Sequence, residues 1–185
     1  KALEAAKPLA STPAATSAIA YLFPDANLLK GIPVANLNPG VIFSIQDPAQ
    51  AEEMVKLNVW SLGIFRNRSL AWRNNPSVYE VAYTLLANLG KHAVPALRGM
   101  LVENYNKEIC KAGAEVLSLI PSEDAVKALL DRIENKLIMP GAQASIRNFP
   151  QLAFPYLVHL AGSRSKVSGP AQALLGQMVR SDDGT

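Results

Sequence analysis

Histidine, cysteine and paired carboxylates build most hydrolytic, redox and metal chemistry, and in this chain they are few and scattered. Neither of the two histidines, His92 and His159, has a metal-ligating residue three or four positions on. There is no His-Glu-x-x-His, Cys-x-x-Cys, Gly-x-Ser-x-Gly or Gly-x-x-x-x-Gly-Lys pattern, and Gly90-Lys91-His92 lacks the upstream glycine a phosphate loop needs. The adjacent carboxylates Glu52-Glu53, Glu123-Asp124 and Asp182-Asp183 diverge if helical. Two pairs fall near expected helix starts, where negative charge is favoured, and all three read as solvated charge. The single cysteine, Cys110, reads as a small core side chain and suits a reducing compartment, so a cytoplasmic protein is expected. The sequence thus predicts no catalytic residue, no metal and no cofactor.

The remaining chemistry is charge. Between Glu53 and Glu80 there is no acid, while Lys56, Arg66, Arg68 and Arg73 fall among Trp60, Phe65 and Trp72. Basic side chains bind phosphate and aromatic faces stack on bases, so Lys56, Arg66, Arg68, Trp72 and Arg73 are candidate nucleic-acid-binding residues. The same composition also describes a helix with an aromatic core face and a solvated rim, and four charges are too few to dominate binding unaided. A second acid-free stretch, 135–181, carries Lys136, Arg147, Arg164, Lys166 and Arg180, whereas 77–134 holds eight acids against six bases. The net charge of +3 permits an anionic partner without requiring one.

The elements that position these side chains are set by a recurring phrase. Ala93-Val94-Pro95-Ala96-Leu97, Ala125-Val126-Lys127-Ala128-Leu129 and Ala153-Phe154-Pro155-Tyr156-Leu157 follow one another at steps of 32 and 28 residues, the length of a helix pair with its turns. A second set of columns precedes each phrase. Val78, Ile109, Ile138 and Val167 align; four residues on stand Ala82, Gly113, Ala142 and Ala171; eight on, Leu86, Leu117, Ile146 and Leu175; eleven on, Leu89, Ile120, Phe149 and Met178. Such spacing is one stripe of a helix, and the small residue marks where a neighbour approaches closely. First helices are expected at 77–89, 107–120, 138–149 and 167–180, and second helices at 92–104, 123–136 and 151–162. Asn75-Pro76, Ser122, Met139-Pro140 and Phe149-Pro150 supply helix starts. Pro95 and Pro155 are expected in first turns, where they cost no hydrogen bond. Leu86, Leu97, Leu117, Leu129, Ile146 and Leu157 are the expected core.

Residues 1–76 are less regular. A helix is expected at 14–23 and another from Asp47-Pro48 to about 63, with an irregular crossover near 31–46 that is rich in Gly, Pro and Asn. The organisation read from sequence is an N-terminal helical region at 1–76, which includes a degenerate repeat, then repeats at 77–181 and a tail at 182–185. The start at lysine and a fourth first-helix without a second suggest part of a longer polypeptide. No stretch is long and apolar enough to span a membrane, since the most apolar, 152–161, is interrupted by Pro155 and His159.

The Ala-x-Pro-Ala-Leu phrase opening each second helix is similar to HEAT-like repeats, in a version shorter than their usual length of about 40 to 47 residues. Trp60-Ser61-Leu62-Gly63 does not fit a tetratricopeptide signature, and there is no Thr-Pro-Leu-His of an ankyrin repeat. Phe149-Pro150 followed by Ala153, Leu157, Ala171, Leu174-Leu175 and Val179-Arg180 also resembles the helical-repeat region of molybdate-metabolism-regulator-like (MolR) proteins. Those are large bacterial proteins that often carry a Trp-Gly-Arg domain, a tripeptide this chain lacks. The resemblance implies an all-α, right-handed α-solenoid of antiparallel helix pairs with a regulatory role. It supplies no catalytic residues.

The expected function is a non-enzymatic interaction or scaffold module that binds a protein partner or further domains of a longer chain. The second helices are expected to line a concave face, with Arg98, Lys127, Asp131, Arg132 and His159 as contact residues. Positions 127 and 131 lie four apart and so project from one side, away from Val126, Leu129 and Ile133. The alternative is a nucleic-acid-binding module or repeat-fold enzyme using 56–73. Its sharpest form, an alkylbase glycosylase, would need acids among the aromatics, and none lies near Trp60 or Trp72 in the chain.

Overall fold

The computed structural model describes residues 2–9, 15, 16, 19, 45–56, 78–102 and 106–182. Every regular element among them is helical. In order these are α1 (Ala2–Ala6), a 3-10 turn (Lys7–Leu9), α2 (Pro48–Lys56), α3 (Val78–Leu89), a second 3-10 turn (Gly90–Ala93), α4 (Val94–Met100), α5 (Lys107–Leu117), α6 (Glu123–Leu130), α7 (Met139–Asn148), α8 (Pro150–Ala161) and α9 (Ser168–Asp182). The chain divides into two compact units, Lys1–Gly99 and Met100–Thr185.

In the first unit, Asp47 starts α2 as the sequence predicts. Its Oδ1 accepts the Ala49 amide at 2.9 Å and its carbonyl accepts the Ala51 amide at 3.1 Å, with Pro48 in the first turn. The α2 face of Ala51, Met54 and Val55 is buried, as is Ile45 just ahead of it. Asn88 of α3 donates to the Ile45 carbonyl at 3.2 Å and ties that approach segment down. Of the helix expected at 14–23, Ala15, Thr16 and Ile19 are helical. The expected crossover lies, apart from Ile45 and Gln46, outside the described residues, as does the continuation of α2 beyond Lys56.

Two expectations in this unit need correcting. The buried stripe of α3 is Val81, Ala82, Leu85 and Leu89, which rotates Leu86 to a half-buried position. The helix expected at 92–104 is shorter, because Gly90 turns the chain at a φ of +54° and a 3-10 turn precedes α4. Proline explains that turn. Pro95 has no amide to return to the Lys91 carbonyl, and Val94, one residue earlier, donates to it instead.

In the second unit, Asn106 caps α5 by accepting the Glu108 amide at 3.1 Å. The far end of α5 is closed from α7, where Asn148 donates to the Ser118 carbonyl at 3.0 Å. Helix α6 begins after extended Ser122, whose carbonyl accepts the Val126 amide at 3.1 Å; its hydroxyl makes no cap bond. The expected run to 136 stops at Leu130. Beyond it the amides of Arg132 and Ile133 bond three residues back rather than four, and Asn135 Oδ1 captures the Leu137 amide at 2.9 Å. An asparagine side chain competing for backbone amides favours a turn over a helix.

Pro140 lies in the first turn of α7 and Pro150 opens α8, both as expected. Pro155 does not lie in a first turn. With α8 starting at Pro150 it falls one turn deeper, where the Gln151 carbonyl loses its helical donor. Both residues are exposed, so water can reach that carbonyl. At the other end of α8, Ser168 and Gln172 of α9 donate to the Ala161 carbonyl at 2.8 and 3.0 Å, which fixes the α8–α9 corner.

Helix α5 packs on α6 and α7, α6 on α7 and α8, α7 on α8, and α8 on α9. The small-residue column is buried throughout: Ala82, Gly113, Ala142 and Ala171. Close approach is sharpest between α5 and α7, where a Cβ on Gly141 would sit 2.6 Å from the Ala114 carbonyl oxygen. One helical turn on from Gly141, Ser145 is fully buried and its hydroxyl has no hydrogen-bond partner. Leu97, Leu117, Leu129 and Leu157 are fully buried and Ile146 nearly so.

Candidate functional site

Three of the residues singled out from sequence meet on the surface shared by α6 and α8, and the residue that gathers them is Tyr156. Its hydroxyl donates to Asp131 Oδ1, its ring lies 5.8 Å from Lys127 Nζ, and His159 stacks with it, ring centroids 6.1 Å apart at 26°. The arrangement follows from local structure. Asp131 is the residue on which α6 ends, still in a helical conformation, and its amide bonds to the Lys127 carbonyl at 2.9 Å. Residues 127 and 131 therefore project from one side of the helix. Tyr156 and His159, three apart on α8, share a face in the same way. Lys127 also pairs with Glu123 at 3.4 Å, a solvent-exposed i, i+4 pair worth about 0.3 to 0.5 kcal/mol. It therefore stays available to a competing anion.

Beside this polar cluster α8 exposes an apolar ridge. Phe154 and Val158, four apart, are 47% and 49% exposed, and Pro155 and His159 form the next row. The opposite face, Ala153, Leu157 and Leu160, is buried in the unit. His159, one of the expected contact residues, is exposed, because the helix turns that row away from the core. Aromatic and apolar side chains held in place beside ionic groups are what protein interfaces use as anchors.

The other expected contact residues do not join the cluster. Arg132 follows Asp131 and is half-buried, and its side chain bonds to neither Tyr156 nor His159. Arg98 is exposed on α4 in the first unit. Of the basic and aromatic candidates, Lys56 ends α2, while its side chain and Arg66, Arg68, Trp72 and Arg73 lie outside the described residues. Sequence reasoning missed Tyr156, Phe154 and Val158 as site residues. The available signal was their place in the recurring phrase, where Phe154 and Tyr156 replace the Val94 and Ala96 of the first copy, both buried, by larger aromatic groups.

Among the described residues no group of three or more His, Cys, Asp or Glu side chains is placed to hold a metal ion, and the Cys110 side chain is buried in the core. No described helix is long and apolar enough to cross a membrane. Comparison with protein-family models, with curated proteins and with solved structures finds no match to this chain.

Proposed function

We propose that the chain is a non-enzymatic helical-repeat interaction module, a short HEAT-like right-handed α-solenoid, which binds a protein partner through the α6–α8 surface. The observation that carries the reading is the Tyr156 cluster beside the Phe154–Val158 ridge. It joins an aromatic anchor, both signs of charge and exposed apolar area on adjacent helices. The solenoid part is supported by the packing of α5 on α7 and of α6 on α8, since first helices stack on first and second on second in such repeats. Kinship with the repeats of the MolR-like proteins, a regulatory role, a place in a longer polypeptide and a cytoplasmic setting belong to the same reading. The last is supported by the single cysteine of the chain, which rules out a disulfide framework within it.

Capture of partners with immobilised protein tests it. Lys127→Glu, Asp131→Lys and Arg132→Glu combined should abolish capture of whatever the unmodified chain retains, with the melting temperature changed by no more than about 4 °C because these groups are solvent-accessible. An identical set of partners for both proteins would refute the assignment. The nucleic-acid alternative rests on residues 56–73 and on their composition alone. In a gel-shift titration we expect no complex at about 50 mM salt. A complex weakened by Arg66→Ala, Arg68→Ala and Arg73→Ala together would put nucleic acid in place of the protein partner.

A further inference from the structure

We infer that the groove between α7 and α9 is a docking site for an acidic amphipathic helix of a partner protein. The groove has a volume of 480 Å³; α7 lines it with Gln143, Ile146 and Arg147, and α9 with Leu174, Gln177 and Met178. Each wall is thus an i, i+3, i+4 set, a single helical ridge. Ile146 and Leu174 are buried and form an apolar floor, while Arg147 and Gln177 are exposed at the rim. This surface shares no residue with the Tyr156 cluster, and the inference stands or falls separately from the reading of that cluster.

Charge selects the occupant. Arg147 is the one charged residue among the described residues that line the groove. From 135 to 181 the chain has no acid, and Lys136, Arg147, Arg164, Lys166 and Arg180 are all exposed, none of them ion-paired among the described residues. Both walls belong to this acid-free stretch, so a segment bearing carboxylates meets Arg147 with no opposing carboxylate among the described lining residues, and a basic segment meets repulsion; this speeds the encounter of the first and rejects the second. The floor requires apolar side chains, and a helix presents them to a groove at i, i+3 or i+4, and i+7. Together these features specify a helix with one apolar and one acidic face. The competing occupant is a second copy of this chain, whose 77–134 stretch carries the acidic excess.

A displayed library of random peptides, panned on the intact chain and counter-selected on the double variant Arg147→Glu, Gln177→Glu, tests the inference. Both residues are exposed and their side chains form no hydrogen bond or ion pair among the described residues, so the variant should melt with the unmodified protein. The expected pool is rich in Asp and Glu, with apolar residues at helical spacing. A synthetic peptide from it should bind the intact chain at least about tenfold more tightly than the variant and weaken as salt rises. Amide exchange on the intact chain, which does not depend on the variant folding, should show protection confined to α7 and α9. A neutral or basic pool, no pool, equal binding to both proteins, or protection elsewhere would overturn the assignment. Self-association in sedimentation that the variant abolishes would also overturn it and give the groove to a second copy.

Discussion

Leu129→Ala is expected to cost about 2 to 5 kcal/mol of folding stability, and Leu117→Ala a similar amount. Both side chains are fully buried, Leu117 on α5 and Leu129 on α6, two helices that pack together. Truncation removes the transfer energy of the lost methyl groups and leaves a cavity that close-packed neighbours refill only in part. For a fold whose whole stability is of order 5 to 15 kcal/mol, either loss moves the urea midpoint visibly. A cost below about 1 kcal/mol for both would mean that these positions are not packed as described.

Gly141→Ala should destabilise the protein although helix propensity argues the other way. In a helix interior, alanine in place of glycine gains about 1 kcal/mol. At position 141 the new methyl would meet the Ala114 carbonyl oxygen at 2.6 Å and its carbon at 2.8 Å. Both are backbone atoms, so relief requires moving α5 away from α7, and overpacking of this kind costs about 1 to 3 kcal/mol. The clash should win, and Gly141→Val should be worse. Gly176→Ala on α9, where nothing lies within 4 Å of the new methyl, is the matched control and should stabilise by about 0.5 to 1 kcal/mol. Denaturant unfolding of the variants checks the signs. Stabilisation by both alanines would refute the close approach of the two helices.

Much of the helical framework was legible because it is written in residues with few alternatives. The column Ala82, Gly113, Ala142 and Ala171 predicts burial at four positions, and all four are buried. Asp47-Pro48, Met139-Pro140 and Phe149-Pro150 mark helix starts because a capping carboxylate or a proline without an amide fits few other places. The end of α6 was not legible. Asn135 is compatible with a helix and prevails only because its side chain reaches the Leu137 amide. Leu86 was misplaced because Leu85 and Leu86 are both apolar, and packing chose the former. For the site, the spacing of Lys127 and Asp131 predicted a shared face. That Tyr156 would reach both depends on the distance between α6 and α8, which no local spacing encodes.

From α5 to α9 each helix makes its main contacts with the next one or two helices along the chain. Little loop entropy is lost before a stabilising contact forms, so this part of the molecule should fold fast for its size and in segments rather than all at once. The same locality bears on how such a chain changes over time. A helix pair can be duplicated or lost while only the junctions on either side are rebuilt, so its length is free to drift where the length of a fold with a single enclosed core is not.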